Sequence, residues 1–277
     1  MFHVHEIEST FLGATRRITV WRSSGARRVC RASSADRRAA SLFPVLYLND
    51  GQNLFEPGRA FGGLTWRVAE TIERLVRRSR IPPLIVVGID HGDARRAREY
   101  LPVEDERNPH ARVPLGRQYA EFVTRDVIPF VSSRYPVAPG ALNTGFGGSS
   151  YGAVAALSTV LAKPGVFGKL LLESPSLYVG GGYILKQARS AARWPERVYL
   201  GVGTEETGRA DRNREPVANV RKLQRLLQRA GLGPARLKTV VEPGASHSED
   251  AWARRLPSAL EFLFSRRSGR RSPRDTV

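Results

Sequence analysis

Residues Gly148-Ser149-Ser150-Tyr151-Gly152 spell G-x-S-x-G. A short approach of small and apolar residues, from Leu142, leads into them, and an Ala/Val/Leu run at helical spacing follows. That context predicts a sharp strand-to-helix turn, where side chains at the two flanking positions would collide and glycine is required. The turn would lift the Ser150 hydroxyl over the end of a sheet. There, at a helix N-terminus, backbone N–H groups favour developing negative charge. A serine hydroxyl is a weak nucleophile at neutral pH: it needs a base beside it, and the base needs an acid to orient it. Downstream stand Glu205, Glu206 and Asp211, then His247, in the order Ser, acid, His that such a turn uses. Glu206 is the expected acid, with Glu205 and Asp211 open as alternatives because loop register decides which one reaches the histidine.

Two other readings of the glycine-rich stretch fail. Gly145-Phe146-Gly147 begins like a dinucleotide fingerprint, but the third glycine would fall on Ser150. No Gly-Lys-Ser/Thr follows, which removes a phosphate-binding loop.

The elements that must position these residues can be read in chain order. Phe11 to Trp21 alternates weakly and predicts an opening strand or hairpin. Leu42 to Leu48 and Pro83 to Asp90 are near-continuous apolar runs, as strands buried on both faces should be. Leu64 to Arg78 carries apolar residues at helical spacing. His91 to Pro114 is a long polar connection of the kind that lines a site. A helix follows over Leu115 to Tyr135, with a kink expected at Pro129. Beyond the serine turn, strands over Gly168–Glu173, Arg197–Val202 and Ala235–Val241 alternate with helices over Gly180–Ala192, Glu215–Ala230 and Glu249–Arg267. The alternation predicts an α/β fold: one domain with a mostly parallel, doubly wound sheet and helices on both faces.

In such sheets ligands bind beyond the carboxyl ends of the strands. Asp50-Gly51-Gln52, Ser150, Glu205-Glu206 and His247 each stand just past a predicted strand. The expected chemistry is acyl transfer through Ser150, with His247 moving the proton and backbone N–H groups of Tyr151 and the Gly51-Gln52 turn holding the oxyanion. The other four histidines do not compete: His3 and His5 precede the first predicted strand, and His91 and His110 lie in the long connection. His91, Asp93 and Glu104-Asp105-Glu106 read as a solvated loop, so no metal is expected.

The 277 residues are 41% hydrophobic and 25% charged, ordinary for a globular chain. No run of 18 apolar residues occurs, so no membrane span is expected. The N-terminus has no basic or apolar signal region, and a cytoplasmic location is expected. The single cysteine, Cys30, excludes an internal disulfide. The net charge of +18 invites a nucleic-acid reading, but the excess is arginine scattered along the whole chain. The two dense stretches, a basic loop at about 22–41 and the tail 265–277, have no interleaved aromatics for base stacking. They read as solvated or disordered segments, the first a loop within a domain over 1–264 and the second a tail after it, and no specific nucleic-acid partner is expected. The oligomeric state is open.

The chain resembles the putative-esterase, or esterase D-like, branch of the α/β-hydrolases, which includes enterochelin esterase-like proteins. The motifs that carry the resemblance are Val45 to Phe55, Pro83 to Asp90, Arg98-Glu99-Tyr100, Gly147 to Gly152, Leu172 to Leu177, Gly203 to Glu206, and His247 with Trp252, Arg255, Leu256 and Pro257. The resemblance implies Ser150 as nucleophile, Glu206 as acid, His247 as base, an oxyanion turn near Gly51-Gln52, and no cofactor or metal. It also implies substrate contacts from Asp50, Asn53, Tyr100, Ser176 and Trp252. Three departures stand out. Asn49 occupies a position where His often precedes Asp-Gly, Tyr178 to Gly181 replaces commoner aromatic and acidic residues, and the basic loop replaces a short hairpin.

The expected function is a serine carboxylesterase acting on short-acyl or water-soluble small-molecule esters. Two alternatives are an acyltransferase using the same residues and a catalytically silent polyanion-binding protein on the same scaffold.

Overall fold

The computed structural model describes residues 1–27 and 42–265. Cys30, most of the basic loop and nearly all of the basic tail lie outside them.

An antiparallel hairpin opens the chain, β1 (Phe2–Ser9) and β2 (Ala14–Arg22), followed by a single helical turn, α1 (Ser24–Arg27). Then come β3 (Val45–Asn49), α2 (Val68–Arg77), β4 (Ile85–Ile89) and α3 (Arg96–Tyr100). α4 (Gly116–Glu121) runs into α5 (Ile128–Arg134), and β5 (Thr144–Ser149) into α6 (Ser150–Ala162). The chain closes with β6 (Lys169–Glu173), α7 (Val179–Arg189), β7 (Arg197–Glu205), α8 (Arg214–Arg229), β8 (Leu237–Ser246) and α9 (Glu249–Phe264). One sheet has the order β1-β2-β4-β3-β5-β6-β7-β8. The pairs β1–β2 and β2–β4 are antiparallel; every other pair is parallel.

The central strands are covered on both faces, and their side chains alternate between two cores. Val45 and Tyr47 of β3 point to the side of α4 to α8, where Tyr119, Phe122, Leu157, Ile184, Val220 and Leu227 pack. Leu46 and Leu48 point to the side of α2 and α9, against Ile72, Leu75, Leu256, Leu260 and Leu263. A sheet with helices on both faces is therefore what the apolar runs of the sequence specify.

The structure adds three features to the sequence expectation. β1 lies ahead of the predicted first strand and carries His3 and His5, which are thus part of the fold. It escapes detection because, as an edge strand, it turns Phe2 and Val4 outward and His5 inward, with His5 Nε2 2.6 Å from the Tyr135 hydroxyl. The helix over 115–135 is widened into a π-turn at Phe122–Val127, just ahead of Pro129. Pro129 offers no N–H to the preceding turn, and widening that turn absorbs the missing bond. The connection over 91–114 is well anchored: Glu99, fully buried, accepts two 2.7 Å hydrogen bonds from Arg16 of β2.

Candidate active site

The serine turn joins β5 to α6 without a linking residue, and Ser150 takes the strain with φ at +55°. The glycines on either side are required by contact. A Cβ on Gly148 would lie 2.9 Å from the backbone of Gly152, and one on Gly152 would lie 2.7 Å from the Asp50 carboxylate. The strained turn presents Ser150 at the first position of a 13-residue helix. Its Oγ lies 3.3 Å from Ser176 Oγ.

β7 and β8 bring the acid and the histidine together. Glu205 ends the β7 ladder opposite Ser246 and faces solvent; Glu206, one residue on, points the other way and is buried. Glu206 stands in the turn that follows β7, past a register shift between Gly203 and Glu205, and that turn separates the two acids. His247 Nδ1 lies 2.6 Å from Glu206 Oε2. Asp211 is instead engaged on the surface with Arg209 and Arg212. Glu206 Oε1 accepts from Ser174 Oγ and from the Gly203 N–H, both at 2.6 Å. Burial raises the carboxyl's pKa, but the hydrogen bonds from His247, Ser174 and Gly203 outweigh it and hold Glu206 below the usual carboxylate range.

Ser150, Glu206 and His247 line one cavity of about 220 Å³, with Ser176, Leu177, Tyr178, Thr207, Pro216 and Asn219 among its walls. A larger cavity, about 820 Å³, opens at the opposite, amino-terminal edge of the parallel strands, away from these groups. Among the described residues no cluster of three or more His, Cys, Asp or Glu could hold a metal ion, and no helix is long and apolar enough to cross a membrane.

The Gly51-Gln52 turn follows β3. Asp50, at φ +57°, starts it and is gripped by Arg96 at 2.7 and 2.8 Å; its N–H donates to the Tyr100 hydroxyl. Tyr100 itself is fully buried. Asn49 is buried too. Its Nδ2 donates to the Gly152 carbonyl and its Oδ1 accepts from the Tyr119 hydroxyl, pinning the end of β3 to α6. Gln52 Oε1 accepts the His91 N–H. Asn53 is turned inward, toward Glu249 and Phe61. The Tyr151 side chain leans away from the serine, donating to Asp105 Oδ2 at 2.6 Å. Trp252 is buried: its indole N–H donates to Ser174 Oγ, and its ring meets His247 edge to face at 5.1 Å.

Sequence reasoning passed over Ser174, Arg96 and Glu249. Ser174 stands just past β6, so the strand-end rule that singled out the other residues could have included it. Arg96 and Glu249 carry no local signal.

Behind the acid lies a buried ion pair. Arg255, on the same face of α9 as Trp252, bonds Glu173 and Glu242 at 2.8 and 2.7 Å. Burial raises Glu173, and Arg255 offsets part of that rise. Arg255→Leu is expected to destabilise the fold by about 3–5 kcal/mol, because it strands a buried carboxylate. The loss should grow as pH rises past about 7, the value to which burial lifts Glu173 even with Arg255 beside it, since below that pH the carboxyl is protonated with or without its partner. Urea unfolding at mildly acidic and mildly alkaline pH measures both effects.

Residues 36–263 match the protein-family model described as Putative esterase. The Bacillus subtilis (strain 168) protein YbbA is 24% identical over 231 residues, covering 81% of this chain and 86% of YbbA. A structure of the enterobactin esterase FES from Shigella flexneri, in the presence of 2,3-dihydroxy-N-benzoyl-glycine, superposes with a TM-score of 0.69 at 19% identity. That match covers 95% of this chain but only 59% of the Shigella chain. The IroE-like serine hydrolase from Shewanella oneidensis gives a TM-score of 0.72 at 18% identity, over 95% and 80% of the two chains. At these identities the two structural likenesses establish a common fold.

Proposed function

The chain belongs to the putative esterase family, and from that premise we propose that it is a serine carboxylesterase working through an acyl-enzyme on Ser150. The observation that carries this reading is the 2.6 Å bond from His247 Nδ1 to a buried Glu206, on the wall of the same cavity as Ser150.

An ionised Glu206 accepts a proton-bearing Nδ1, which leaves Nε2 unprotonated and able to act as base. Ser150 Oγ turns from Ser176 to His247, gives up its proton, and attacks the ester carbonyl. Charge gathers on the carbonyl oxygen, where backbone N–H groups of Tyr151 and the Gly51-Gln52 turn receive it. The tetrahedral adduct collapses: the C–O bond to the alcohol breaks and His247 returns the proton to the leaving oxygen. Water, deprotonated by the same histidine, then frees the acid and restores Ser150.

The cavity size, with Leu177 and Pro216 as apolar walls and Thr207 and Asn219 as polar ones, supports short-acyl esters over long chains. Asp50 and Tyr100 serve by shaping the oxyanion turn, Ser176 by sharing the serine's hydrogen bond, and Trp252 by backing His247.

The test is intact-mass analysis after treatment with a fluorophosphonate. One adduct on the wild type and none on Ser150→Ala is expected. A folded wild type that stays unlabelled would sink the proposal. A p-nitrophenyl ester series should then show kcat/KM falling as the acyl chain lengthens. A catecholate ester belongs in the panel, because the structural neighbour from Shigella was crystallised with a dihydroxybenzoyl compound.

A further inference from the structure

The scheme above uses neither Asn53 nor Glu249, yet the two are buried side by side between its parts. Asn53 ends the oxyanion turn, and its side-chain amide is used at both ends. Oδ1 accepts the Phe61 N–H at 3.0 Å, and Nδ2 donates to Glu249 Oε1 at 3.1 Å. Its backbone carbonyl accepts the Trp66 N–H at 2.9 Å. Glu249 is the first residue of α9, two positions after His247. Its carboxyl is close enough to feel the charges of Asp50, Arg96 and His247.

The other side-chain bonds of the turn run elsewhere. Asp50 reaches Arg96, the Asp50 N–H reaches Tyr100, and Gln52 reaches the His91 N–H, all in the connection after β4. Among the described residues, Asn53–Glu249 is the side-chain hydrogen bond that ties the turn directly to the segment carrying His247.

Resting on the esterase reading, we infer that Asn53 and Glu249 form a clamp that sets the spacing between the oxyanion turn and the His247 loop. They are positioning residues. A tetrahedral adduct must meet the turn's N–H groups and His247 Nε2 together, so an error in that spacing weakens the transition state while leaving ground-state binding nearly unchanged. A displacement of about 1 Å can cost on the order of 100-fold in rate.

The clamp has a direction, with an amide on Asn53 donating a hydrogen bond to a carboxylate on Glu249, and that direction can be reversed. Asn53→Asp sets two acids against each other; at mildly alkaline pH it is expected to lower kcat about 30-fold with KM within about threefold. In Asn53→Asp/Glu249→Gln a glutamine amide donates to the new aspartate, and at least a tenfold recovery of kcat is expected. Glu249→Ala opens the clamp from the other side and should show the same loss in kcat, which covers the case in which Asn53→Asp fails to fold. A merely structural asparagine would not produce the split between kcat and KM, nor the rescue. The clamp is overturned if either single variant keeps kcat within about threefold of wild type, or if the double variant is no better than Asn53→Asp. Failure of the esterase reading looks different, because the wild type itself would then neither hydrolyse esters nor take the fluorophosphonate.

Discussion

Replacing Ser150 by alanine is expected to lower kcat for ester hydrolysis by on the order of 10⁶, and His247→Ala by a similar factor. The reason is that in the proposed mechanism the two act as a unit. Without the base, the Ser150 hydroxyl keeps its proton and is no better a nucleophile than an alcohol in water. Without the hydroxyl, His247 has only bulk water to activate, at a position the site does not hold. Removing both should therefore cost little more than removing either. Residual rate above the uncatalysed reaction would come from oxyanion stabilisation and substrate binding alone, roughly 10³-fold. Steady-state kinetics on the two single variants and the double variant measure this directly. Losses that add in free energy would mean that the two residues do not share a step. Neither change should disturb folding much, since Ser150 is partly exposed and His247 lies at the cavity edge.

The second large effect is expected from Glu206→Gln, which should lower kcat on the order of 10⁴-fold while leaving the shape of the site intact. The surroundings dictate how the amide sits. The Gly203 N–H and the Ser174 hydroxyl both point at Oε1. A backbone N–H can only donate, so the amide oxygen must face it and the NH₂ group must face His247. His247 Nδ1 then becomes an acceptor, its proton moves to Nε2, and the ring can no longer take the Ser150 proton.

The same variant tests a pH effect on stability. Glu206 has a lowered pKa in the fold, because the bonds from His247, Ser174 and Gly203 outweigh burial. A depressed carboxyl stabilises the fold above its unfolded pKa and loses that contribution as pH falls through its folded pKa. The stability gap between wild type and Glu206→Gln should be widest near neutral pH and close on acidification. Urea midpoints across that range would show it, and a gap that widens toward acid would contradict the geometry.

The fold was legible because its signals are local and redundant. Val45 to Leu48 and Ile85 to Ile89 are apolar without a break, and only a strand covered on both faces needs that pattern. The edge strand β1 was illegible for the converse reason. Its apolar Phe2 and Val4 alternate on the solvent face while histidines pack inward, so its pattern does not mark a buried face. The serine turn was legible because steric need leaves a mark in the sequence. Gly148 and Gly152 are glycine since nothing larger fits between β5, α6 and Asp50.

Sequence alone determined the α/β class, the turn that exposes Ser150, and the presence of an acid and a histidine past later strands. These follow from hydrophobic period and from clashes between near neighbours, which depend on residues close in the chain. The tertiary structure decided the pairings. It set Glu206 rather than Glu205 or Asp211 against His247, through the turn that follows β7. It turned the Tyr151 ring toward Asp105, buried Tyr100 under the Asp50 N–H, and joined Asn53 to Glu249 across 196 positions. Hydrogen bonds need donor and acceptor within about 3 Å and in line. Between residues so far apart in the chain, that distance is fixed only when the whole sheet and its helices have packed.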